Sequence, residues 1–252
     1  MPALFVGHGS PMNGIEETEF GRAWEEVGRT LPRPAAILCI SAHWESDGTL
    51  VCTTSRPETI HDFYGFPDEL HRVVYPAPGA PEWAEAVRRI APGADIRSDP
   101  RRGLDHGTWV VLRRMFPKAD VPVFQISLDR RRSPQEHYEL ARQLGPLRDQ
   151  GLLIVGSGNM VHNLRLLDWS GGAHPWATAF DQQLAALIRR HDHAALIDYP
   201  ALGANAVKAI PTNEHYLPML WTLALRREGE TPQFFAEGVT LGSISMRSFR
   251  IG

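Results

Sequence analysis

Short apolar runs alternate with amphipathic stretches from one end of this chain to the other, and that alternation restricts the fold more than any other feature. It is the pattern of an α/β domain whose central sheet is covered by helices on both faces. The spacing predicts strands over 3–6, 35–41, 49–53, 121–126 and 152–156, with a closing C-terminal run over 239–251. It predicts helices over 17–30, 81–91, 108–115, 134–149, 176–190 and 214–225, with Pro81 and Pro134 placed in first turns, where a missing N–H is harmless. The expected architecture is one domain, residues 1–252, built on a mixed, mostly parallel sheet.

Composition removes several function classes. With 43% hydrophobic and 22% charged residues among 252, the chain has the make-up of a soluble globular protein with a sizeable core. A net charge of -3, with the basic residues dispersed, provides no face for nucleic acid. No apolar run approaches the roughly 18 residues of a spanning helix, and residues 1–6 do not make a signal peptide. Cys39 and Cys52 sit in apolar stretches without CxxC spacing, so they read as reduced core thiols, and the cytoplasm is the expected compartment.

Five histidines occupy a distinctive place: His8 in LFVGHGSP, His43 in ILCISAHW, His106 in GLDHGTWV, His162 in LLIVGSGNMVHNL and His215 in IPTNEHYLP. Each lies where a strand-like run or a breaker-rich loop gives way to small polar residues. In open α/β sheets the binding crevice lies beyond the carboxyl ends of the strands, and converging neutral imidazoles bind metal. A single buried histidine is more often a satisfied core residue, but two strand-end cases, His8 and His43, favour a shared site. His162 reads equally as a turn residue or as part of that site, with Asn159 and Asn163 able to hold its loop. His215 stands beside Glu214, so either can complete a metal shell. His106 follows Asp105 at a helix start, where the pair reads as a cap or as a carboxylate-held proton acceptor.

The remaining candidates are weaker. His71, His137, His191 and His193 lie among charged neighbours and read as a solvated face, while His174 sits in a Gly/Pro loop. In TIHDFYGFP, His61 and Tyr64, with Phe63, Phe66 and Asp62, suit either an aromatic lid over a flat substrate or a loop anchored by its aromatics. There is no GxGxxG, P-loop, GxSxG or HExxH, and no convincing Ser-His-Asp set.

Taken together, GHGSPMN, SAHWES, TIHDFYGFP, YPAPG, GLDHGTW, SGNMVHNLR and NEHYLP, followed by LGSISMRSF, stand in an order that resembles the 4,5-DOPA extradiol dioxygenase family. That family lies within the class III extradiol enzymes, which include the catalytic subunit of protocatechuate 4,5-dioxygenase. The resemblance spans essentially the whole chain and implies a phosphorylase/hydrolase-like α/β architecture. It implies a non-haem metal centre, Fe(II) for activity with Zn(II) as an alternative occupant. The implied reaction uses O2 to open a catechol such as DOPA to a muconic semialdehyde. By motif, His8 and His43 correspond to ligands, His215 or Glu214 to the C-terminal ligand, and His162 to a fourth ligand in a four-histidine shell. In the protocatechuate branch the histidine after the SG loop is instead the acid/base, so His106 and His162 are both carried as catalytic candidates, with His61, Tyr64 and Glu214 as substrate contacts. A zinc-dependent hydrolase and a non-catalytic metal-binding protein are the alternatives on the same scaffold.

Overall fold

A computed structural model describes residues 1–252. Its central sheet has six strands: β1 (Ala3–Gly7), β2 (Ala36–Ser41), β3 (Val123–Gln125), β4 (Leu152–Gly158), β5 (Gln233–Phe235) and β6 (Ser248–Ile251). They lie in the order β3-β2-β4-β1-β6-β5. The β3-β2, β2-β4 and β4-β1 pairs are parallel, and β6 then runs antiparallel between β1 and β5. The expected mixed, mostly parallel sheet is therefore present in a single α/β domain.

Period-2 alternation divides the strand residues between two cores. Leu4, Val6, Ile37, Leu153 and Val155 join one cluster with Trp24 and Trp109, from the helices Glu19–Thr30 and His106–Met115. Ala3, Phe5, Leu38, Ile40 and Ile154 join the other, with Leu140, Leu184 and Leu220 from the helices Pro134–Gln143, Pro175–Arg189 and Leu217–Ala224. Every residue of β1, β2 and β4 is buried, the expected consequence of covering both faces. No helix is long and apolar enough to cross a membrane. Cys39 and Cys52 are buried and free.

Several expected elements are shorter, and each change has a local cause. The helix expected over 214–225 begins only at Leu217, because Pro218 is tolerated in a first turn and not inside a helix; residues 213–216 instead form a turn that carries His215. The helix expected over 134–149 ends at Gln143, and Gly145-Pro146 opens a 3-10 segment in its place. The C-terminal run breaks into Val239–Thr240, Ile244–Ser245 and β6, with Gly242 at φ +76 between the first two. The strand expected over 49–53 forms as Leu50–Cys52 outside the main sheet, paired with Arg97–Asp99. The edge strand β5 and the short helices His193–Ile197 and Ala204–Ala209 carry no strong periodic signal.

His137 corrects an expectation. It is buried rather than solvated, because the helical period brings it to the core face with Leu140 and Ala141. Its ring lies between the Trp221 Nε1 donor, 3.2 Å from Nδ1, and the Asp129 carbonyl, 3.2 Å from Nε2.

A buried polar network ties the sheet to the helix that starts at His106. Asp105 caps that helix through Thr108 N, 3.2 Å away, and its other oxygen receives Arg102 at 2.6 Å and Gln125 Nε2 at 2.7 Å. Arg102 also donates to the His43 carbonyl at 3.2 Å. Asp105→Ala should cost about 3–5 kcal/mol, since it leaves Arg102 uncompensated and removes a cap. Urea unfolding monitored by far-UV circular dichroism will measure that loss.

Candidate metal centre

The carboxyl ends of β1, β2 and β4 bring the site together. The His8 amide continues the parallel ladder to the Gly158 carbonyl at 3.1 Å, and the Ala42 amide continues it to the Ser157 carbonyl at 3.0 Å. His8 and His43 thus leave adjacent ladder positions, with Gly9 at φ +57 turning the chain away immediately afterwards. His215 reaches the same point because the Asn159 amide donates to its carbonyl at 2.8 Å. Gly158 is required there: a Cβ would lie 2.1 Å from the His215 carbonyl oxygen.

One ligand atom from each of His8, His43 and His215 falls within 4.8 Å of the others. Second-layer partners set the tautomers. The Ser157 hydroxyl donates to the Gly107 carbonyl at 2.5 Å, so towards His8 Nδ1, 3.0 Å away, it accepts, and His8 carries its proton on Nδ1. Glu214 Oε1 lies 3.0 Å from His215 Nδ1, and a carboxylate can only accept, so the same tautomer follows. His43 Nδ1 faces Asp62 Oδ2 at 3.6 Å. The Nε2 atoms of His8 and His43 then meet at 3.1 Å. When His43 likewise carries its proton on Nδ1, the side nearer the Asp62 carboxylate, lone pair faces lone pair, an arrangement that a cation relieves. Metal–imidazole bonds of roughly 2.0–2.1 Å allow one ion to reach both atoms. The donor set therefore fits a metal ion.

Two further imidazoles line the same cavity of about 300 Å³. Asp62 Oδ1 accepts both the backbone N–H of His106 and its Nδ1–H, each at 3.0 Å, leaving His106 Nε2 as an acceptor. Asp62 is itself placed by the Ile60 backbone, bound to the Leu104 carbonyl at 2.8 Å and to Trp109 Nε1 at 2.9 Å. His162 stacks on His215 with ring centroids 3.5 Å apart and planes 6° from parallel. It groups with Glu214 and His215 rather than with His8 and His43. No hydrogen-bond partner holds either ring nitrogen of His162, while Asn159 and Asn163 brace its loop through the Ser245 and Lys208 carbonyls.

The structure brings His8, His43, His106, His162 and His215 to one cavity and leaves three candidates, His61, Tyr64 and Glu214, outside it. His61 turns its Nε2 to the Val73 carbonyl at 2.9 Å and lies in a neighbouring groove. Tyr64 is 94% exposed, and Phe63 and Phe66 form that part of the cavity wall. Glu214 stands behind His215 and opens onto a separate polar groove. The sequence reading did not single out Asp62 or Ser157 for ring orientation, nor Leu164, Leu167 and Trp169 for the rim. Asp62 had a signal, being the sole acid in an otherwise aromatic loop segment, and Ser157 had none.

A profile of the catalytic LigB subunit of aromatic ring-opening dioxygenase matches residues 2–243. The chain belongs to that family. LigB-family enzymes are ring-cleaving dioxygenases, and relatives of this chain carry matching names. It is 42% identical to an Escherichia coli K12 protein named 4,5-DOPA dioxygenase extradiol, over 100% of this chain and 95% of the relative. It is 35% identical to a Beta vulgaris protein of the same name, over 98% and 95%. The crystal structure of an uncharacterized E. coli K12 protein, JW3007, superposes with a TM-score of 0.88 at 38% identity, over the whole of both chains.

Burial favours the neutral form of His8, His43, His162 and His215. Desolvation, and then the neighbouring imidazoles, push His8, His43 and His215 down; desolvation pushes His162 down to about 4 and, in the core, His137 to about 4. Burial alone raises the Asp62 carboxyl, but the hydrogen bonds and charge of His106, with His43, hold it at about 2. The unfolded chain takes up a proton at each of these named histidines near pH 6.5, whereas in the native protein His8 and His215 resist it to lower pH and His43, His137 and His162 protonate only at about 4. Stability of the metal-free protein should consequently fall as pH is lowered from about 6.5 towards 4. Thermal melts at pH 7.0, 6.0 and 5.0 will show a progressive drop in Tm.

Proposed function

We propose that this chain is a non-haem, metal-dependent extradiol dioxygenase, which opens a catechol ring beside its two hydroxyls and places both atoms of O2 in a muconic-semialdehyde product. The observation that carries this reading is the convergence of three Nε2 lone pairs with an Asp62-held imidazole and a free one in one cleft. The relatives' names, 4,5-DOPA dioxygenase extradiol, support a catechol as the class of substrate.

His8, His43 and His215 are the residues that would hold the metal, with Fe(II) the active ion and Zn(II) an alternative occupant. When bound, the metal supplies chelation of the two hydroxyls and redox access to O2. Everything else falls to side chains. His162 is placed to accept a hydroxyl proton, because nothing else engages its ring nitrogens. His106, fixed as the Nδ1–H tautomer by Asp62, offers Nε2 as a second acceptor and returns a proton as the ring opens. Phe63, edge-on to His106 with centroids 5.6 Å apart, and Phe66 exclude water from the ring's flank. The buried free cysteines accord with a reducing cytoplasm.

After anaerobic Fe(II) loading, the protein should consume one O2 per catechol; no uptake with DOPA, protocatechuate or simple catechols by fully loaded protein overturns the reading. Turnover of an ester or amide by the zinc form without O2 would instead support a hydrolase. His8→Ala, His43→Ala and His215→Ala should lose bound metal, whereas His106→Ala, His162→Ala and Asp62→Asn should keep it and lose about 10²–10⁴-fold in kcat. Metal content of His162→Ala, measured by plasma emission, separates a three-imidazole shell from a four-imidazole one.

A further inference from the structure

The mouth of the cavity presents apolar surface that no other part of the chain covers. Leu164 is 62% exposed and Trp169 is 78% exposed, and both line the cavity together with Leu167, Phe66 and Leu241. Large side chains left in water beside a concave site signal what the site is built to cover.

The charge of the wall points the same way. None of the 16 lining residues is a lysine or arginine. Asp62, the one carboxylate among them, is occupied by the two N–H groups of His106. Arg102 is bound to Asp105 and the His43 carbonyl, and Arg247 to Asp181 and Glu237, so neither guanidinium is free to turn inward. Arg165, beside Leu164 in sequence, is exposed and is not part of the wall. A catechol held by its hydroxyls at the imidazole floor directs its ring substituent to this rim. A carboxylate there leaves water without gaining a cation, whereas an alkyl or aryl group gains contact with Trp169, Leu164 and Leu167.

We propose that this site selects catechols whose ring substituent is uncharged and apolar over catechols whose substituent carries a carboxylate. The proposal rests on the catechol reading of the same cavity. DOPA, with its carboxylate and ammonium, is then a poor member of the substrate class for this chain, and alkyl- or arylcatechols are good ones. Leu164 and Trp169 are the residues that set the preference.

The test is calorimetric titration of the zinc-loaded protein without O2, using 4-methyl-, 4-ethyl- and 4-propylcatechol, 3-(3,4-dihydroxyphenyl)propionate and DOPA. Affinity should rise along the alkyl series by up to about fourfold per methylene. 4-Propylcatechol should bind at least about tenfold tighter than the propionate of matched length, a margin that Trp169→Ala shrinks and Leu164→Arg reverses. Equal or tighter binding of the propionate or DOPA overturns the proposal, as does an anionic preference that Arg165→Ala abolishes. The two readings fail separately. Tight, graded binding of alkylcatechols with no O2 uptake by the Fe(II) form removes the dioxygenase activity and leaves the apolar selectivity, whereas O2 uptake with the reverse ranking does the opposite. If no catechol binds, both fall.

Discussion

The parallel ladder joining β2, β4 and β1 is the constraint on which the site depends. Hydrogen bonds from His8 and Ala42 to consecutive carbonyls of β4 fix where two imidazole-bearing residues leave the sheet, and Asn159 at the end of β4 fixes the third. These are backbone bonds between strands buried on both faces, so the positions of His8 and His43 are set by the most rigid part of the fold. A 3.1 Å approach between Nε2 atoms that both lack a proton is costly, and a rigid scaffold holds it.

Asp62 connects this rigid floor to proton handling. One oxygen holds His106 and the other faces His43, so a single carboxylate orients an imidazole of the metal set and an imidazole of the acid/base pair. Arg102 makes a parallel connection in the protein interior, spanning the carbonyl of His43 and the carboxylate that caps the His106 helix. Displacement of either histidine therefore strains two independent tethers shared with the other.

Much of this was legible in the sequence because it depended on periodicity and strand-end placement. The strands leading to His8 and His43 and the 152–156 run were apparent as apolar segments, and the five cavity histidines were recognisable by position. What escaped depended on distant partners. His137 looked solvated because its sequence neighbours are polar, yet Trp221, 84 residues away, supplies the donor that permits its burial. The aromatic TIHDFYGFP segment suited a lid or an anchored loop equally, and the packing of Ile60 against Trp109 is what puts Phe63 and Phe66, rather than His61 and Tyr64, at the cavity. The stacking of His162 on His215 leaves no trace in spacing, since it follows from where Pro218 forces the last helix to begin.

Asn163 to His174 form a loop outside the sheet ladder, with no neighbour within 4 Å of the Cβ position of Gly171. That loop supplies the apolar rim, while the imidazole floor hangs from the central strands. Chemistry and selectivity thus occupy segments with separate structural supports. A lineage carrying this scaffold can alter what it accepts by changing the rim, with folding stability and the metal-binding floor left intact, so closely similar chains can retain one reaction while diverging in the molecules they consume.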